Sequence, residues 1–167
     1  MRKGLVLLAF LGLIVLSIMP FGVTAAAAAT PAGDVVDQIN AIRAQYSLKP
    51  LAVQFQLSKS AQPYAQAMAT GRFFSHLGLD GSTMVSRDEA AGYINWSYLE
   101  ENLAAGQPTA NDAVSAWMAS PDHRANILSP YVSDIGIGYV YLAGSPYGYY
   151  WVADFGSRRP ETFQSVS

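Results

Sequence analysis

Val35, Ile39, Ile42 and Tyr46 recur at spacings of four, three and four, which places them on one stripe of a helix, with Asp34 positioned to cap it. Lys49-Pro50 ends that pattern, and Leu51-Ala52-Val53 leads into a second helix in which Leu57, Ala61, Tyr64, Ala65 and Met68 share a face. Proline has no amide hydrogen, so Pro63 is best accommodated in a first turn, and Ser60 rather than Ser58 is expected as the N-cap. Gly71 marks the stop, and Phe73-Phe74-Ser75-His76 follows as a loop. Leu77 to Ser82 is turn chemistry, Thr83 to Ala91 a short helix closed by Gly92, and Tyr98 to Ala104 an extended segment. Thr109, with Asp112 three residues on, reads as a capping box for the helix carrying Val114, Trp117 and Met118. Ser120-Pro121 ends that helix, and a further short turn closes at Ile127 to Pro130.

The period then changes. DIGIGYVYL (134–142) and YGYYWVADFG (147–156) are aromatic and β-branched, and Ala143-Gly144-Ser145-Pro146 joins them as a hairpin with a loop of four to six residues. Gly136 and Gly138 share a face of the first strand, where missing side chains admit a close neighbour. Helices followed by a late hairpin and one inner strand indicate an α+β domain with a small antiparallel sheet covered by helices.

Met1-Arg2-Lys3, the apolar run behind it and the alanines at 25–29 read as a secretory signal over residues 1–29; a retained membrane anchor is the alternative, and Pro20 with the small-residue tail favours cleavage. Residues 30–34 read as a linker, 35–157 as the domain and 158–167 as a flexible polar tail. Cleavage after Ala29 removes two of the ten basic residues and none of the twelve acidic ones, taking the net charge from −2 to −4. An acidic surface argues against nucleic acid or an anionic membrane as partner, which leaves the uncleaved leader as the one membrane contact. The chain has no cysteine, which excludes a lipoprotein anchor and a disulfide framework, so the fold must rest on packing.

The chain holds two histidines, His76 and His123, and Glu101 heads an apolar run between them. Two imidazoles and a carboxylate suit a divalent metal with an open position, or the carboxylate serves as a base. Their separations of 25 and 22 residues form no local metal motif, and on spacing alone surface or structural histidines are the commoner outcome. Ser75 beside His76 lacks a nucleophile elbow. Asp122 beside His123 suits a turn or cap as well as an imidazole partner, Trp117 suits the core, and Asn102 suits a backbone tether. The tyrosines of the last strand suit a packed face, with outward members able to line a groove.

Taken together and in order, NAIRAQYSLKPL, SKSAQPYAQAMATGRFFSH, EENLAAG, AWMASPDHRANIL, DIGIGYVYL and YYWVADFG resemble the CAP superfamily, whose unit is also called the SCP domain. The resemblance spans roughly Val35 to Gly156 and is to the short, cysteine-free bacterial type. It implies an α-β-α sandwich with a central cleft and a tetrad of two histidines and two acids. His76, Glu101 and His123 match three of the four; Ser120 stands at the second acidic position, with Asp122 nearby as a substitute. His76 and His123 are the candidate metal residues and Glu101 the candidate base. The resemblance implies a divalent metal (zinc, magnesium or calcium) and, for some members, a lipid in the cleft; the partner expected here is a small apolar or envelope-derived ligand. The expectation is a secreted, non-enzymatic binding domain. The alternatives are a metal-assisted extracellular hydrolase of envelope or peptide substrates, and a structural envelope protein with a vestigial cleft.

Overall fold

The computed structural model describes residues 30–160, so the leader and the tail beyond Pro160 lie outside the described residues. The elements run α1 Pro31–Gln45, β1 Ala52–Val53, α2 Phe55–Gly71, α3 Met84–Ala91, β2 Trp96–Ala105, α4 Ala110–Ala119, α5 Pro121–Ile127, β3 Asp134–Tyr141 and β4 Tyr149–Arg158. Among these no helix is long and apolar enough to cross a membrane.

The sheet order is β1-β3-β4-β2. The three long strands are antiparallel, and two-residue β1 adds to β3 in parallel. Alternation along β4 divides the core. Trp151, Ala153 and Phe155 join Val35 and Ile39 of α1, Val114 and Trp117 of α4, and Ile135 and Ile137 of β3. Tyr150 and Val152 join Leu103 of β2 and Ala61, Tyr64, Ala65 and Met68 of α2. Helices thus cover both faces, as an α-β-α sandwich.

Several local expectations change. The segment 30–34 is not a linker: Thr30 is the N-cap, accepting from the Gly33 amide at 3.1 Å, and Pro31 and Asp34 lie in the first turn. Threonine in extended backbone before a proline is the better cap, because Pro31 has no amide to satisfy. Ser60 does not begin α2; Gln54 does, and Pro63 sits inside the helix. Pro63 and Lys59 are exposed, so the carbonyl that loses its partner meets water. Seven buried residues on the opposite face, among them Leu57, Tyr64 and Met68, offset a proline cost of about 3 kcal/mol or more. The hairpin loop spans 142–148, longer than expected, with Gly144 and Gly148 at positive φ. Arg158 is not tail: it ends β4, pairs with Trp96, and sets its guanidinium 4.7 Å from the centre of the Tyr93 ring.

Candidate functional site

Arg72, in the left-handed region at φ 57°, turns the chain sharply at the end of α2. The Tyr64 hydroxyl then donates to the Ser75 carbonyl at 2.5 Å, and the Leu77 amide donates to Ser75 Oγ at 3.0 Å. The serine hydroxyl is occupied in shaping this turn, and the turn sets His76 at its tip.

α3 has firm ends, with a reciprocal Thr83–Ser86 capping box and Gly92 in the left-handed region. It presents Arg87, a residue with no signature in the sequence. The guanidinium lies 3.3 Å from the centroid of the Tyr64 ring. Its Nη1 donates to the carbonyls of His76 and Ser82 at 3.2 Å each, and Nη2 donates to Glu101 Oε2 at 2.5 Å. Glu101 rises from β2, the edge strand opposite β1, with its side chain 3% exposed. Its other oxygen, Oε1, faces His76 Nδ1 at 2.7 Å.

One buried carboxylate therefore holds a guanidinium on one side and an imidazole on the other, while the His76 side chain itself remains 61% exposed. The hydrogen bond from Nδ1 fixes the ring and, in the neutral form, leaves Nε2 with the free lone pair. That bond also raises the His76 pKa above its ordinary value, although partial burial works against it. Both oxygens of Glu101 are engaged, an arrangement that suits orientation of the imidazole better than proton abstraction from a water.

His123 lies in the first turns of α5. Its backbone carbonyl accepts from Asn102 Nδ2 at 2.9 Å, and Asn126 Nδ2 donates to Asn102 Oδ1 at 2.9 Å, so fully buried Asn102 ties α5 to β2. Burial is the first cause that lowers the His123 pKa, and the charge of His76 lowers it further. Ser120, half-buried, forms the junction between α4 and α5 without a side-chain cap bond; exposed Asp122 acts on His123 through its charge. Trp117 is core, 1% exposed, and donates from Nε1 to the Leu103 carbonyl at 2.9 Å.

His76 and Glu101 open onto a pocket of about 380 Å³ completed by Leu77, Thr83, Met84 and Val85. A larger groove of about 620 Å³ lies on the other side of the 77–83 loop, between α2 and α3, and includes Tyr64, Phe73, Leu79 and Arg87 but neither histidine. Among the described residues no three or more His, Cys, Asp or Glu side chains converge as a metal cage. Of the candidate residues, His76 and Glu101 line the smaller pocket and His123 is not among its lining residues.

Residues 36–155 match the family model described as the cysteine-rich secretory protein family, CAP. The chain is 40% identical over 106 residues to the protein YkwD of Bacillus subtilis, a match covering 64% of this chain and 41% of that one. It therefore spans less than half the length of that curated relative. Among solved structures, an outer surface protein from Borrelia burgdorferi superposes with a TM-score of 0.68 at 26% identity, over 75% of this chain and 90% of that one. An extracellular protein containing an SCP domain from Bacillus anthracis superposes with the same TM-score of 0.68 at 23% identity, over 77% of this chain and 40% of that one, a likeness of fold.

Proposed function

This chain belongs to the cysteine-rich secretory protein (CAP) family, and from that premise we propose that it is an extracellular binding domain whose His76–Glu101 pocket takes a small ligand with the help of a divalent cation held by His76 and His123. The observation that carries this reading is the buried carboxylate aimed at Nδ1 of an exposed imidazole, the arrangement by which proteins fix a histidine for coordination. Two imidazoles favour zinc over magnesium or calcium, which prefer oxygen donors. A bound cation would supply Lewis acidity and open positions for a ligand oxygen. Leu77, Met84 and Val85 offer apolar contact beside it and Thr83 a hydroxyl, which suits a small, partly apolar, envelope-derived molecule. A location outside the cytoplasm draws on the leader-like sequence at 1–29 and on the outer-surface name of the Borrelia relative. The hydrolase reading asks Glu101 to act as a base, and its two engaged oxygens support the binding reading instead.

Isothermal titration of metal-stripped protein with zinc, then magnesium and calcium, tests the proposal. Saturable zinc binding is expected in the wild type and its loss in the His76→Ala/His123→Ala double variant; equal binding by both proteins, or none by either, rejects the site. Zinc affinity should fall as pH drops through the imidazole range at about 6.5, because a protonated ring has no lone pair to give.

A further inference from the structure

Directly behind Glu101 the structure buries two more carboxyl groups that the pocket does not use. Asp88, the α3 residue after Arg87, is 0% exposed, and Asp154 on β4 is 1% exposed. Asp154 is the cross-strand partner of Glu101 on one side and of Gly136 on the other, so its second neighbour brings no polar side chain. As two carboxylates, Asp88 and Asp154 would have all four oxygens without a hydrogen-bond donor. Neither forms a salt bridge, since the nearby cation, Arg87, is committed to Glu101. Two unpaired negative charges side by side in the interior would be strongly destabilising. One shared proton would supply the missing donor between the two groups, and the Ser60 hydroxyl of α2, likewise buried without a partner, is beside Asp88.

We propose that Asp88 and Asp154 share one proton at neutral pH and that this proton fastens α3 to the sheet, so that its release to solvent at alkaline pH loosens α3 and withdraws Arg87 from Glu101. The charged and titratable groups around the pair support this. Glu101 on β2 adds negative potential and so favours retention of the proton, while Arg87 on α3 opposes it. Tyr93, just past α3, directs its hydroxyl to Asp134 on β3 at 2.7 Å and so is turned to another acid. Burial is the leading cause that pushes the Asp88 carboxyl up to about 6 and holds Asp154 well above the usual carboxylate range. The two titrate as a pair.

The linkage has a definite sign. Carboxyls whose pKa is raised by folding stabilise the native state fully below their unfolded value, about 4, and that contribution is lost as pH rises through the folded values, from about 6 upward. The pair thus opposes the usual behaviour of native carboxylates, which stabilise as pH rises. In metal-stripped protein, stability and the order of α3 report on the pair whether or not the pocket can bind a metal.

The test is thermal unfolding of the full chain from pH 5 to 8.5, for the wild type and for Asp88→Asn and Asp154→Asn. An asparagine reproduces the neutral partner and donates to the remaining carboxylate. The wild-type Tm is expected to fall by roughly 5 °C or more relative to either variant across this range. Amide exchange across Met84–Ala91, corrected for its intrinsic pH dependence, should accelerate in the wild type alone. Carbon-13 titration of the aspartate carboxyls should find one proton still bound above the ordinary carboxylate range. Parallel Tm profiles, or both carboxyls ionised below pH 5, would overturn the proposal. So would a wild-type pH slope abolished by millimolar calcium or magnesium, which would make the pair a cation site instead.

Discussion

Replacing Gly138 by valine should leave no cooperatively folded protein. Gly138 lies on β3, in the middle of the sheet, paired with Val152 of β4. Its Cβ, if present, would stand inside the van der Waals envelope of the Ala61 carbonyl in α2, and a Cβ at Gly136 would meet the Leu57–Ser58 peptide one turn earlier. The obstructing atoms are backbone, so no change of rotamer relieves the clash; α2 would have to lift away. Lifting it opens the packing of Ala61, Tyr64, Ala65 and Met68 against Leu103, Val140, Tyr150 and Val152. Overpacking of a core costs about 1–3 kcal/mol and occasionally more, and one whole layer of this sandwich would bear it, against a total stability of about 5–15 kcal/mol. Gly138→Ala should survive only as a strongly destabilised form. A melting temperature for Gly138→Ala within two or three degrees of wild type would refute this account of the packing, on a scale where 1 kcal/mol is worth roughly 2–8 °C.

Glu101→Ala should be the most damaging change at the pocket. It removes the acceptor for a guanidinium only 11% exposed and unties His76 in the same step. Leaving one member of a buried ion pair without its partner costs about 3–5 kcal/mol. Urea unfolding reads that loss directly, and adding Arg87→Met to Glu101→Ala should recover part of it, because the stranded charge is then gone. Glu101→Gln keeps the shape and separates the two roles. It should weaken zinc binding roughly 10- to 100-fold through loss of the charge that orients His76, with a smaller effect on stability. An unchanged urea midpoint in Glu101→Ala would show that the pair contributes nothing to folding. An unchanged zinc affinity in Glu101→Gln would remove the orienting role.

Wherever information is local, the sequence announces the structure. The stripe of Leu57, Ala61, Tyr64, Ala65 and Met68 is buried as its spacing predicts, and Thr83 and Gly92 bound α3 as their chemistry requires. Gly136 and Gly138 mark the close approach of α2. Local reasoning also misplaces some ends. A cap at Ser60 is expected only if Pro63 is intolerable within a helix, and an exposed proline opposite a well-buried face is tolerated. β1 escapes notice because two residues carry no period, and only their pairing with Asp134 and Ile135 makes them a strand.

The pocket divides the same way. His76, Glu101 and His123 stand out as the scarce titratable residues of a motif series, but nothing in their spacing says that Glu101 orients His76 or that Arg87 holds Glu101 from behind. Asp154 left one trace, an acid in a row with Tyr150 and Val152 on an otherwise apolar face; Asp88 left none. Read alone, the chain therefore reveals most of the elements, the faces they bury and the family, and it singles out His76, Glu101 and His123 as candidates. These follow from the helical and strand periods, turn chemistry and ordered motifs, all written over a few consecutive residues. Which charges meet is written in no such local pattern, because the pairs His76–Glu101 and Arg87–Glu101 depend on sheet register and on helices docking across it, and their energy appears only once water has been excluded between them.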